Sequence, residues 1–396
     1  MMRRIGLHPI VALTASTHLI VDGFGNIYAP LLPLLIPRMD MSLATAGLLT
    51  TCFQLASSVS QLGFGHLADR WRPRFLLMTG PIVAVTILSL IGLAHSPFVL
   101  GLILILGGFG GAAFHPPAAA LVHRVSGKRA ALAMAFHITG GSIGYALGPL
   151  MFAPIVGRFG LHWTPAFALP GLLILAFTLR HVPPIELQHE GDRGGFRALR
   201  PYARPLSLLY LIVVFRTLAS LSFATFVPVL LTRRGLSLGA AGAVATVYLF
   251  ASGIGGFAGG PLAERFGARR VIGLSLLLAA PFLAIAPLLG GWAFTIVLAL
   301  GGLFLQSTLP VNVTFGQSIA PISAATVSSL MMGFAWGTGG LSVPFVGMLA
   351  DRIGLQHALM VMAAMPLAAA ACAWPLPAGR PHVPARPSEV GAPEVM

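Results

Sequence analysis

Twelve apolar runs, each close to the length that crosses a membrane, follow one another along this chain with short joints between them. A helix rising 1.5 Å per residue needs about 20 mostly apolar residues to span a hydrocarbon layer. Breaking the sequence at its charged and Pro/Gly-rich joints gives runs at 9–36, 43–68, 74–94, 98–122, 131–156 and 162–181, then at 206–231, 239–263, 271–290, 292–316, 324–349 and 355–376. Only 9% of the 396 residues are charged, against about 25% in a soluble domain. Too few ions remain to coat a water-exposed surface, which excludes a soluble enzyme of ordinary type, a disordered chain and a secreted disulfide scaffold. Inside lipid a helix satisfies its own backbone, so the runs predict an all-α membrane protein of twelve transmembrane helices.

The longest polar stretch lies between the sixth and seventh runs. It predicts an N-terminal six-helix bundle over 1–181, a cytoplasmic linker over 182–205, a C-terminal six-helix bundle over 206–377 and a disordered cytoplasmic tail over 378–396. The net charge of +14 suggests nucleic acid at first sight, but the chain has a single Lys and its arginines sit in short clusters between apolar runs. Those clusters obey the positive-inside rule when the N-terminus is cytoplasmic, leaving only Arg38, Arg158, Arg233, Arg234 and Arg352 outside. The expectation is a multi-pass protein of the cytoplasmic (inner) membrane with both termini in the cytoplasm. Its partners would be the lipid bilayer, a small-molecule substrate and protons, with no nucleic acid, no cofactor and no resident metal, and a monomeric state. Cys52 and Cys372 fall within apolar runs and give no metal or disulfide pattern.

The halves repeat. Met41–Arg74 aligns without gaps onto Leu236–Arg269, with "MSLATAG" meeting "LSLGAAG" and "GHLADRWRPR" meeting "GPLAERFGAR". Two parallel six-helix repeats are the arrangement of major facilitator transporters. Gly65 to Arg74, with Asp69, Arg70 and Arg74, resembles that superfamily's loop signature G-x-L-A-D-R-x-G-R-R/K, although Arg72 stands where Gly is usual. The second copy carries Gly260, Glu264 and Arg265, and a weaker third echo runs from Gly347 to Arg352. An acid beside arginines in a short loop can form and break charge pairs as two bundles rock, so these are candidate gating latches. On the fifth run Gly140, Gly144 and Gly148 share one helix face and Pro149 follows. This resembles the G-x-x-x-G-x-x-x-G-P signature of proton-coupled antiporters; the plainer alternative is glycine-mediated packing.

Of ten acids only Asp22 lies deep in a run. It belongs to a stripe of Thr14, His18, Asp22 and Asn26, each four residues apart, which falls on one side of a helix. A charge at that depth is costly and normally faces a pathway, so Asp22 is the candidate proton carrier and His18 its relay. Arg216, in the seventh run, takes the place of His18 when the halves are aligned on Pro30 and Pro228. A buried Arg cannot shed its charge and needs an anion: Asp22 or a substrate carboxylate or phosphonate. His115 before two prolines, with Asn26, Gln54, Gln306 and Asn312, completes the candidate substrate-binding set.

Several stretches together resemble the fosmidomycin resistance protein family of drug exporters. They are Ser16 to Asp22, which is similar to that family's S-x-H-x-x-x-D, then Phe53 to Ser58, Phe114-His115-Pro116, and Gly140-Gly141 with Gly148-Pro149. That family commonly has an acid directly after the His-Pro pair, where this chain has Pro117. The resemblance implies a drug exporter; the single deep acid and single deep arginine at equivalent ends of the two repeats add the expectation of a proton-coupled exporter of a small anionic compound, in which proton uptake at Asp22 loosens its attraction to Arg216. An importer or uniporter of a sugar, carboxylate or other nutrient, and a carrier of a metal held by His18, Asp22 and His115, are the rivals. A membrane enzyme is remote: the His18–Asp22 spacing is one short of H-x-x-x-x-D, and no nucleophile elbow or H-E-x-x-H is present.

Overall fold

The structure is a computed structural model that describes residues 7–70, 72–182, 196–320 and 324–377. The predicted linker lies mostly outside these residues and the tail wholly so. Every regular element among them is helical. The first half is built from α1 (Pro9–Arg38), α2 (Leu43–Ala68), α3 (Pro73–Leu93), α4 (Pro97–Ser126), α5 (Leu132–Phe159) and α6 (Leu161–Leu179). The second half is built from α7 (Leu199–Arg233), α8 (Leu238–Phe266), α9 (Ala268–Leu288), α10 (Gly291–Ile319), α11 and α12 (Leu355–Ala373).

Eleven of these are long and apolar enough to cross a membrane among the described residues. The eleventh crossing differs from the single run that the sequence predicts over 324–349. It is assembled from Ala324–Ser328, a π-helical segment Ser329–Phe334, Ala335–Gly340 and Val343–Ile353. We call the whole of it α11.

The breaks follow from proline chemistry. A proline in a helix leaves the carbonyl four residues earlier without its donor. Pro30 does this to Asn26, where α1 is interrupted between Gly25 and Tyr28. Pro310 does it to Gln306, where α10 divides, and Pro344 does it to Gly340, where α11 divides. The carbonyl that Pro344 frees is satisfied from a neighbouring helix: Thr51 Oγ1 of α2 donates to Gly340 O at 2.6 Å. Pro149 leaves α5 continuous, yet the carbonyl it frees, that of Tyr145, accepts from Asn26 Nδ2 at 2.8 Å. In lipid such side-chain partners stand in for water.

The sequence repeat shows as equivalent caps. Ser42 accepts from Thr45 N at 3.1 Å to start α2, and Ser237 accepts from Ala240 N at 3.2 Å to start α8. At the other ends of the repeat, α5 and α11 stop at Gly160 (φ +91°) and Gly354 (φ +84°), a left-handed conformation that only glycine adopts without strain.

The two halves meet at the face opposite the termini. Gly47 of α2 lies against the backbone of Val343 and Pro344, and Gly347 of α11 lies against Leu43 and Ala44. There Asp351 takes both free N–H groups at the start of α2, Leu43 N on Oδ1 and Ala44 N on Oδ2, each at 3.0 Å. On the other side of the bundle Gly242 and Gly239 of α8 lie against Pro149 and Pro154 of α5. Small residues allow this backbone-to-backbone approach, and together the two seams close the far face.

Candidate functional site

The polar stripe of α1 turns toward α5, and glycines decide how closely. A Cβ at Gly140, Gly144 or Gly148 would strike the α1 backbone at Ala15, Leu19 or Gly23. The glycine face is therefore the surface on which α1 and α5 press together. One residue along, a Cβ at Gly141 would land on His18 Nε2 and Asp22 Oδ2. Hydrogen at that position is what gives the His18–Asp22 pair its room.

His18 Nε2 stands 3.1 Å from Asp22 Oδ2, and His115 Nε2, arriving from α4, stands 3.5 Å from Asp22 Oδ1. His18 Nδ1 lies 2.9 Å from the carbonyl oxygen of His137 on α5. A carbonyl can only accept, so Nδ1 carries a hydrogen and donates it. The His137 ring, itself buried, packs on His18 with centroids 4.4 Å apart, and the His115 ring lies 4.9 Å from His18. The cluster is not sealed: 24% of the Asp22 side chain and 23% of the His115 side chain are accessible at mid-membrane depth, so both border an internal opening.

The second half supplies a cation. Arg216, 1% exposed, lies midway along α7. Its Nη1 donates to Gln306 Oε1 of α10, its Nη2 reaches Thr217 Oγ1 at 3.3 Å, and its guanidinium lies 5.0 Å from the Trp336 ring of α11. Gln306 Nε2 in turn donates to Ser220 at 3.0 Å, fixing which way its oxygen points. Arg216 Nε has no hydrogen-bond partner among the described residues. Nor does Arg216 form an ion pair with any described carboxylate; those of Asp22 go to His18 and His115. Asn312, fully buried on α10, has no hydrogen-bond partner for either amide atom among the described residues.

The sequence-predicted residues thus separate into two groups. His18, Asp22 and His115 come together as one cluster, and Arg216 joins Gln306 in another. Asp22 and Arg216 form no contact ion pair; histidines from α1 and α4 lie beside both carboxylate oxygens. Asn26 spends its amide on the Tyr145 carbonyl, and Gln54 spends its amide on Ser58 Oγ at 2.7 Å across the π turn of α2. Gly65 rests beside Pro116, and Gly260 faces open space. Glu264, Arg265 and Arg74 are exposed, and Glu264 makes no ion pair among the described residues. The side chains of Asp69 and Arg70 lie outside what the structure describes. His137, Gly141 and Trp336 belong to the site and carried weak signals: His137 is one histidine among several, Gly141 is an extra glycine beside a glycine repeat, and Trp336 sits in an apolar run.

Comparison with known proteins adds three findings. The sequence profile of the Major Facilitator Superfamily matches residues 14–243 and 209–394. The fosmidomycin resistance protein of Escherichia coli (strain K12) is 28% identical over 366 residues, covering 90% of each chain. Among solved structures, a bacterial homologue of the human lysosomal transporter Spinster, in an inward-facing and unoccupied conformation, superposes with a TM-score of 0.76 at 20% identity, over 93% of this chain and 97% of that one. FucP in its outward conformation gives 0.61 at 16% identity, over 92% and 97%.

Proposed function

Because this chain belongs to the Major Facilitator Superfamily, we propose that it is a secondary transporter that exports a small anionic compound in exchange for protons by alternating access. Residues 1–181 and 206–377 are read as the two bodies that rock, joined by 182–205, in a monomer of the cytoplasmic membrane with both termini cytoplasmic. On that orientation the closed far face is external and the opening at Asp22 is reached from inside.

One observation carries the proton coupling. His18 gives its Nδ1 hydrogen to the His137 carbonyl, which leaves Nε2 facing a carboxylate oxygen at 3.1 Å. A neutral imidazole in that tautomer and an ionised carboxylate would present two acceptors to each other. One proton therefore belongs between them, held by His18 or by Asp22. A proton seat at mid-membrane depth, open to one side, is what a proton-coupled carrier needs. Arg216 supplies the counterpart: a buried cation without a carboxylate is a place for an anionic substrate group. The direction is supported by the similarity to the fosmidomycin resistance protein.

Charge also favours a second reading, proton-coupled uptake of a carboxylate. With its proton the His18–Asp22 pair is neutral, and without it the pair is negative, so a nearby anion binds better when the proton is present. Counterflow in proteoliposomes separates the two. Fosmidomycin, the compound in the relative's name, serves as first probe among small anions, together with tolerance of cells with and without the gene. An imposed pH gradient is expected to drive flux, and Asp22→Asn to abolish that drive while substrate exchange continues. Full gradient-driven flux in Asp22→Asn rules out the proposed proton seat.

A further inference from the structure

We propose that His18, Asp22 and His115 form a binding site for a divalent transition-metal ion of the zinc, cobalt or nickel kind. The inference goes beyond the transport reading and holds for either direction of transport.

The donor atoms are already arranged as a coordination sphere. Two imidazole nitrogens from α1 and α4 face one carboxylate, each on its own oxygen, at 3.1 and 3.5 Å. Metal–ligand bonds of about 2.0–2.1 Å at tetrahedral angles place neighbouring donors about 3.3 Å apart, a value that falls between the two observed spacings. The three ligand atoms all lie within 4.8 Å of one another. Rotation of the imidazole rings about their side-chain torsions would draw the three donors onto one ion.

The outer shell is also built. A ligating histidine donates its second N–H to a backbone carbonyl or carboxylate, which fixes the tautomer and aims the free lone pair. His18 does so through Nδ1 to the His137 carbonyl at 2.9 Å. The lone pair it aims with Nε2 points at the carboxylate, an arrangement that calls for a cation between them. Gly141 leaves that space empty, since a Cβ there would strike both His18 Nε2 and Asp22 Oδ2. Three protein ligands with an accessible side leave a fourth position for water or a solute, the open pattern of exchangeable rather than closed structural sites. Two nitrogens and one oxygen suit zinc, cobalt or nickel better than magnesium or calcium, which prefer all-oxygen shells.

The test uses the full chain, free of any affinity tag, in nanodiscs. Zn²⁺ is titrated by calorimetry and Co²⁺ by its visible absorption, in the absence of substrate and of any pH gradient. One ion per chain is expected, with the intense absorption of tetrahedral cobalt. His115→Ala and Asp22→Asn should each weaken Zn²⁺ binding by more than the roughly 10–100-fold that loss of an outer-shell partner costs. Gly141→Ala should remove binding by filling the seat. His137→Ala should leave it in place, because only the backbone carbonyl of that residue takes part. Variants are compared only where they remain monodisperse, and the wild-type cobalt spectrum stands independently of them. Wild-type protein with no ion bound at millimolar metal, or binding indifferent to both His115→Ala and Asp22→Asn, overturns the site. Proton-driven flux measured separately in chelator-treated buffer keeps this outcome distinct from that of the transport proposal.

Discussion

Arg216 shows how much one side chain can imply about a substrate. Its guanidinium is buried, held on one edge by Gln306, covered by Trp336, and left with an unpartnered Nε. Arginine keeps its charge under such burial, and its planar fork matches both the Gln306 oxygen and an oxyanion, whereas a lysine offers a single charged point. Arg216→Lys is therefore expected to raise the half-saturating concentration of the transported anion roughly tenfold, the lower end of what a charge-assisted hydrogen bond contributes. Proteoliposome uptake at varied substrate concentration measures this. An unchanged value would mean that the anion sits elsewhere. The residue and its depth were legible in the sequence. Its partners were not, because Trp336 and Gln306 arrive on α11 and α10, more than 80 positions away.

Elements explain the arginines that break the positive-inside pattern. Arg38 Nη1 donates to Gly92 O at 2.7 Å at the end of α3, and Arg234 Nη1 donates to Leu289 O at 2.9 Å just past the end of α9. Both bind the carbonyls that a helix C-terminus leaves free, where positive charge is favoured. These are equivalent places in the two repeats, so these two of the five exceptions serve packing. Asp351 does the converse across the halves, accepting two N–H groups at the start of α2. A carboxylate at a helix N-terminus contributes about 1 kcal/mol, enough to change a two-state ratio about fivefold. Asp351→Asn should therefore shift the population about fivefold toward an open far face. Cysteine accessibility at Thr45, probed from the far side in vesicles, reads that shift. Labelling as slow as in the unsubstituted protein would show that Asp351 is not a latch. The third echo of the loop motif was visible in sequence as a pattern. Its partner was not, since Leu43 and Asp351 lie 308 positions apart.

At the scale of the whole molecule the two seams decide which face is open. α2 meets α11 through Gly47 and Gly347, and α5 meets α8 through Gly157, whose added Cβ would stand 3.3 Å from Leu238 Cβ. That separation is close to the reach of a disulfide. A Gly157→Cys, Leu238→Cys pair, with Cys52 and Cys372 replaced by Ser, is expected to cross-link under mild oxidation and to stop transport until reduced. Transport that continues with the bridge formed would mean that the far face need not open there.

By itself the sequence determined the all-helical membrane fold, because a chain with 9% charged residues belongs in lipid and continuous apolar runs of about 20 residues satisfy their backbone there as helices. It also determined the depth of each polar residue, since depth follows from position along a run at 1.5 Å per residue. Only the tertiary structure decided partners. Which way a helix is turned, and which neighbour it meets, depends on close packing between segments far apart in sequence, here on glycines that let α5 touch α1. That packing set Asp22 beside two histidines and left Arg216 without a carboxylate partner among the described residues.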